Sequence, residues 1–264
     1  MSYRLTIMGC GSSTGVPRVG GDWGQCDPKN PRNRRRRSSA LIERRKAGGM
    51  TTVLVDTGPD LREQLLATGT KHIDGVVYTH DHADHTHGID DLRMIAYAMK
   101  RRINVWLDAP THASVVPRFA YCFTTPPGRN YPPIMTAHEI DAPNPIHIEG
   151  EGGRVDVIPV PLHHGEMGSL GFRIGDVAYS PDISGLPDSS LALMEGLDVW
   201  ILGALRYLPH PSHLTVGQAL EWVGRVKPKR AILTHLHIDL DYDKLRAELP
   251  GHVEPAVDGM VVEF

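Results

Sequence analysis

Apolar and polar positions alternate along this chain in short blocks whose period changes from one to the next. Tyr3–Met8, Gly75–Tyr78 and Val105–Leu107 are brief runs rich in β-branched and aromatic residues, the composition of strands. Ser38–Glu43 and Thr52–Val55 flank KAGGM, which reads as the turn of a paired hairpin. Val155–Val160, Leu170–Ile174, Val177–Ser180, Val199–Leu202 and Ala231–Leu233 predict further strands in the second half. Helical signals fall between them. Leu61–Thr68 follows Pro59 and Asp60, residues that open helices. Asp91–Met99 is a second helix, and Val216, Ala219, Leu220, Val223 and Val226 mark one face of a third over Val216–Val226. Gly9–Arg37, rich in Gly, Pro, Asn and Arg, predicts a long folded loop. Tyr121–Pro133 carries CFTTPPGRNYPP and predicts an exposed loop, of the kind that serves as a lid or as inert surface. No stretch has the composition of a linker. The chain therefore reads as a single domain over residues 1–264, with two β-rich halves and helices outside.

Composition narrows the partners. A 41% hydrophobic content over 264 residues suffices for a sizeable core. Lys plus Arg is 28 against 31 Asp plus Glu, a formal charge of −3, so nothing draws the whole chain to nucleic acid or to an anionic membrane. Phosphate recognition, if present, must be local. The three cysteines form no C-x-x-C pair, which argues against a disulfide framework. The N-terminus lacks the apolar region of a signal peptide, and no window approaches the about 18 apolar residues of a membrane span. A cytoplasmic location is expected.

Fifteen histidines are many for this length, and four of them fall in THDHADHTHGIDD, residues 79–91. Within it His80, His82, Asp84 and His85 form H-x-H-x-D-H just after the predicted strand Gly75–Tyr78. Imidazole and carboxylate suit a catalytic divalent metal such as Zn, Mn or Fe. Two histidines spaced i, i+2 can grip one ion, and the adjacent Asp-His pair a second. Four ligands do not complete two ions. The remainder stand at the ends of other predicted strands: His163 or His164 in VPLHHG, Asp182 in AYSPD and His235 in AILTH. Strand alternation separates His163 from His164 but does not choose between them. Asp81 is expected to face solvent. His87, Asp90 and Asp91 are expected to serve the loop and the start of the next helix. Asp56 in LVDTGPD reads as an Asx contact in a turn.

This constellation resembles the metallo-β-lactamase superfamily over nearly the whole chain. The resemblance implies an α/β fold, an αββα sandwich of two mixed β-sheets flanked by helices, with two divalent metal ions at one edge. By that resemblance His80, His82 and His164 serve the first ion, Asp84, His85 and His235 the second, and Asp182 bridges them. Asp56 matches the family's early aspartate, which supports the metal loop. Two such ions acidify a shared water and make hydroxide near neutral pH, a nucleophile for phosphodiesters, lactones or thioesters.

Two stretches resemble the superfamily's phosphodiesterase branch, that of ribonuclease Z-type enzymes and PhnP-type cyclic phosphodiesterases. They are GCGSSTGVPR, at Gly9–Arg18, and HLTVGQALEWV, headed by His213; the run SPDISGLP is closest to the PhnP type. In that family the histidine matching His213 lies by the substrate phosphate, so His213 is expected to donate to a phosphate oxygen or to act as general acid. His237, two beyond His235, is expected to contact substrate or face solvent. The expected function is a metal-dependent phosphodiesterase acting on a small cyclic ribose phosphate or nucleotide-like substrate. The alternatives are a lactone or thioester hydrolase using the same site, and a nucleotide- or metal-binding protein without significant turnover. No stable nucleic-acid partner is expected, since no tRNA-gripping arm is inserted; a homodimer is among the states the resemblance allows. In one respect the sequence departs from the PhnP type. That type holds a structural zinc on clustered cysteines and a late histidine, whereas this chain has Cys26 alone, Gly20 and Gly21 in the loop, and Ile238 at the late position. That structural zinc is expected to be absent. The basic run Arg34–Arg37 reads either as phosphate steering or as a face packed on neighbouring carboxylates.

Overall fold

In the computed structural model, which describes residues 2–264, two seven-stranded sheets lie face to face. The strands are β1 (Ser2–Gly9), β2 (Ser39–Lys46), β3 (Gly49–Val55), β4 (Gly75–Val77), β5 (Ile103–Leu107), β6 (Met135–Glu139), β7 (Ile146–Ile148), β8 (Val155–His164), β9 (Met167–Ile174), β10 (Val177–Ser180), β11 (Val199–Gly203), β12 (Arg230–Thr234), β13 (Val253–Pro255) and β14 (Met260–Glu263). The first sheet has the order β14-β1-β2-β3-β4-β5-β6, the second β13-β12-β11-β10-β9-β8-β7. Each is antiparallel on one side and parallel on the other: β3 to β6 run parallel in the first, β10 to β13 in the second. Parallel neighbours need crossovers, and the crossovers put helices on the outer faces.

Three apolar layers follow. Between the sheets lie Leu5, Ile7, Val53, Val55, Phe172 and Ile201, all fully buried. Outside the second sheet, helix Val216–Val226 lays Val216, Ala219 and Val223 against Trp200 and Leu202. Outside the first, helix Leu61–Thr68 packs Leu61 and Leu65 against Met8 and Leu54. The helix Val216–Val226 opens with a complete capping box, Thr215 accepting from the Gln218 amide and Gln218 from that of Thr215. Among the described residues no helix is long and apolar enough to cross a membrane.

Several elements differ from expectation. The helix after the histidine cluster begins at Arg93, after a 3₁₀ turn at Ile89–Leu92. Helix Ala109–Arg118 stands where none was predicted, and the first residues of the CFTTPP segment form helix Ala120–Phe123. The rest of that loop leads to Pro132 and Pro133, which line a cavity of about 380 Å³ with Tyr97 and Lys100 rather than the histidine cluster.

Candidate metal centre

The parallel strands deliver their C-terminal ends to one edge of the sandwich, where an α/β sheet opens a crevice. β4 leads into His80, β10 into Asp182 and β12 into His235, while the long hairpin strand β8 ends on His164. The seven sequence candidates come together there. His80, His82, His164 and Asp182 form one group and Asp84, His85 and His235 a second, the ligand atoms within each lying no more than 4.8 Å apart. Alternation along β8 buries His164 and leaves His163 exposed. Asp182 sits between the groups. Its Oδ1 is 3.1 Å from His85 Nε2 and 3.2 Å from His235 Nδ1, and its Oδ2 is 3.8 Å from His164 Nε2.

Supporting hydrogen bonds decide which nitrogen each ring offers. Thr79 donates its hydroxyl proton to Asp56 at 2.9 Å, so its oxygen accepts from His80 Nδ1 at 3.0 Å and Nε2 is left to face the centre. Asp56 also accepts from His85 Nδ1 at 2.7 Å and from the Thr79 amide at 2.8 Å. His164 Nδ1 donates to the Ser212 carbonyl at 2.8 Å. Asp56 and His235 hold left-handed backbone conformations, φ 64° and 57°, uncommon for non-glycine residues. Close packing seats the loop: a side chain on Gly58 would come within 2.2 Å of the Asp84 carbonyl.

The electrostatics favour a cation. Burial alone would lower the His85 ring, but Asp182, Asp84 and Asp56 outweigh it and hold it well above its usual range. Burial would raise Asp182, yet His235 and His85 hold that carboxyl well below its range. His80 is held low by burial and by His85. His80 Nε2, His85 Nε2 and Asp182 Oδ1 are buried with no hydrogen-bond partner. Each such orphan carries a penalty of about 1–3 kcal/mol. Their convergence among five imidazoles and two carboxylates fits a divalent metal, whose coordination would satisfy all three.

Around this centre some expectations change. Asp81 is half-buried rather than free in solvent: Ser114 and Arg118 of helix Ala109–Arg118 bond its carboxylate, and Arg118 Nη1 donates to its carbonyl at 3.1 Å. The residue thus anchors the histidine loop to that helix. Neither Asp90 nor Asp91 caps its turn through the side chain; Asp90 pairs with Arg93. His87 is exposed, its ring edge-on to Phe119. Three of the four arginines are packed, Arg36 on Asp258 at 3.0 Å, Arg37 on Asp60 at 2.9 Å and Arg35 in the interior, while Arg34 is exposed over the Trp23 ring. Cys26 Sγ lies 3.3 Å from the Ile238 carbonyl and 3.8 Å from Arg35 Nη1. His213 stacks on His235 at 4.8 Å between ring centres and lies 3.9 Å from Asp182. Its ring is driven down to about 3, chiefly by burial and then by the charge of His235.

Residues 51–236 match the family described as a beta-lactamase superfamily domain. A solved diphosphatase from the PhnP family is 35% identical, covers 100% of this chain and 98% of its own, and superposes with a TM-score of 0.89. The short-form human tRNase Z shares the fold at 19% identity and a TM-score of 0.65, covering 98% of each chain. The octanoyltransferase of Porphyromonas gingivalis (strain ATCC BAA-308 / W83) is 32% identical over 262 residues, 97% of this chain; the chain spans about half, 51%, of that relative's length. The chain belongs to the beta-lactamase superfamily and, within it, to the PhnP family. Fold, relatives and the His/Asp cluster together support a metal-dependent hydrolase.

Asp56 gives the first test. It orients His85 directly and His80 through Thr79, so Asp56→Asn is expected to lower metal affinity about 10- to 100-fold. Titration of the metal-stripped variant with Zn²⁺ or Mn²⁺ measures this, and an affinity equal to wild type would remove the orienting role.

Proposed function

We propose that the chain is a dinuclear metal-dependent hydrolase of small phosphoric esters, cyclic ribose phosphates or nucleotide-like diesters in the first place. The observation that carries this reading is the seat of His213. It lies outside the two groups formed by the seven residues, although it also falls in a grouping with Asp182 and His235, and its ring lies 4.7 Å from that of His164 and 4.8 Å from that of His235. His80, His82 and His164 would hold one ion, Asp84, His85 and His235 the other, and Asp182 would be shared. Bound there, such a pair supplies Lewis acidity and a water acidified toward neutral pH.

The chain's own residues do the rest. With its ring neutral at physiological pH, His213 offers an N–H to a phosphate oxygen and favours the ester whose charge sits over the cluster. The anion in turn favours a protonated ring, from which a leaving alkoxide takes its proton. The similarity to a PhnP-family diphosphatase at 35% identity supports the choice of phosphorus over carbon. A second reading, acyl ester or thioester hydrolysis at the same centre, draws on the similarity to a protein named octanoyltransferase.

His213→Ala separates these roles. It is expected to lower kcat on bis(p-nitrophenyl) phosphate by about 10²-fold or more while metal content stays at the wild-type level. An unchanged rate would count against the phosphate contact. Wild-type turnover of a lactone and thioester panel, with none of phosphodiesters, would favour the second reading.

A further inference from the structure

Outside the seven-residue cluster stands another polar group, built on Arg18. Its backbone closes a hairpin, the Arg18 amide donating to the Asp22 carbonyl and the Gly21 amide to that of Arg18, each at 2.9 Å. The turn projects into solvent, with Val19 99% exposed. The guanidinium reaches the other way, to the loop that follows His235, where Nη2 donates to His237 Nε2. A guanidinium keeps its protons, so His237 Nε2 must be the acceptor and the ring proton sits on Nδ1. That nitrogen is 2.9 Å from Asp239 Oδ2. His237 Nε2 is thus taken up by Arg18, while Nδ1 is buried facing the Asp239 carboxylate without a formed hydrogen bond, and the ring sets the direction of Arg18. The remaining contacts of the guanidinium are loose: Thr14 Oγ1 at 3.4 Å from Nε, and Asp22, itself 56% exposed, at 3.7 Å from Nη1.

This group adjoins the metal centre. Leu236, between His235 and His237, exchanges backbone hydrogen bonds with Cys10 and Ser12 of the loop that carries Arg18. His210 closes the other side. Its ring is 5.0 Å from that of His213. Rings thus run from the cluster through His213 to His210. Arg206 is spent on the Leu208 and Pro209 carbonyls, which leaves Arg18 as the half-exposed fork in this group.

We propose that Arg18 binds a second anionic group of the substrate, a phosphoryl or carboxylate carried on the arm away from the reacting phosphorus, and that His237 and Asp239 are its positioning residues. A planar fork suits such oxyanions in a way that an ammonium does not. The inference rests on the phosphoric-ester reading, and its test keeps the two apart.

Three p-nitrophenyl phosphodiesters are compared on the metal-loaded protein: one with a neutral arm, one with a carboxyethyl arm and one with a phosphoethyl arm. Arg18→Ala is expected to lower kcat/KM for one or both anionic-arm esters at least tenfold more than for the neutral one, through KM. Loss on the phosphoethyl ester alone would identify a phosphoryl site, and loss on both a general oxyanion site. His237→Leu should reproduce the effect and His237→Gln, which retains an acceptor, should restore it. Equal losses on all three esters would overturn the inference. Binding of dimethyl phosphate and methyl 2-phosphoethyl phosphate is measured by calorimetry in parallel. If no ester turns over, the phosphoric-ester reading fails. The Arg18 site still stands if the second ligand binds at least tenfold tighter and Arg18→Ala removes that margin, and it falls if the two bind alike.

Discussion

Asp182→Ala is expected to abolish hydrolysis, lowering kcat/KM by about 10³-fold or more, and to empty the metal centre. The magnitude follows from position. Asp182 is the residue that faces both ligand groups, with Oδ1 toward His85 and His235 and Oδ2 toward His80 and His164. Without it the remaining six residues hold five imidazoles and one carboxylate, Asp84, at one end. On the dinuclear reading proposed above, two divalent ions held there would repel each other, and a carboxylate between the two groups would offset that repulsion. A loss of about 4 kcal/mol of transition-state stabilisation corresponds to that thousandfold. Asp182→Asn keeps the volume and removes the charge, so it should fall nearly as far. Metal content by elemental analysis beside kcat/KM is the check. A variant holding two ions per chain with full activity would show that the carboxylate is not shared.

Much of the fold was legible, for identifiable reasons. Helix Val216–Val226 has the predicted bounds because its buried residues recur at helical spacing and a capping box marks its start. Helix Leu61–Thr68 is framed equally well, by Asp60 before it and Gly69, in a left-handed conformation, after it. Helix Ala109–Arg118 escaped because only Thr111 and Val115 are buried and Pro117 interrupts it; its signal was local, an N-cap aspartate followed by proline. Helix Tyr242–Glu248 buries Leu245 alone. The site pieces stood out because each lies at the end of a strand, where the sheet pattern breaks on a polar residue. What adjacency in sequence does not carry is cross-chain pairing. Asp81 read as outward by alternation, but residues 79–82 are a loop rather than a strand, and Arg118 arrives from an element with no periodic signature. Likewise Arg34–Arg37 read as one basic block, although the bridge between Val16 and Arg35 turns alternate side chains to opposite faces.

Arg35 is therefore the residue whose role the sequence conceals most, and its replacement is expected to have the largest effect on stability. Its guanidinium is 2% exposed at residue level and spans the N-terminal loop and the segment after His235. Nη2 donates to the Leu240 carbonyl at 2.6 Å and to Asn33 Oδ1 at 3.3 Å, and Nη1 to the His237 carbonyl at 3.1 Å. Asn33 passes the connection on to Asp241 at 2.7 Å, which also accepts from the Asp27 amide at 3.0 Å. The charge thus meets carbonyl dipoles first and a carboxylate through one intermediary. Removing the fork deletes two charge-assisted hydrogen bonds at about 1.5–3 kcal/mol each. The His237 carbonyl keeps the Leu240 amide and the Leu240 carbonyl the Cys26 thiol as donors, and the loss is partly offset by no longer burying a cation. Arg35→Ala, which also leaves a cavity, is expected to destabilise the chain by about 3–5 kcal/mol. Arg35→Met fills the space and should lose about 2–3 kcal/mol. Arg35→Lys should not rescue, since one ammonium cannot reach Asn33, His237 and Leu240 from a plane. Urea unfolding of the metal-stripped proteins is the measurement, so that altered metal affinity does not enter the result. If Arg35→Met falls within about 0.5 kcal/mol of wild type, packing alone holds the loop. In that case the guanidinium has no part in presenting His235 and His237.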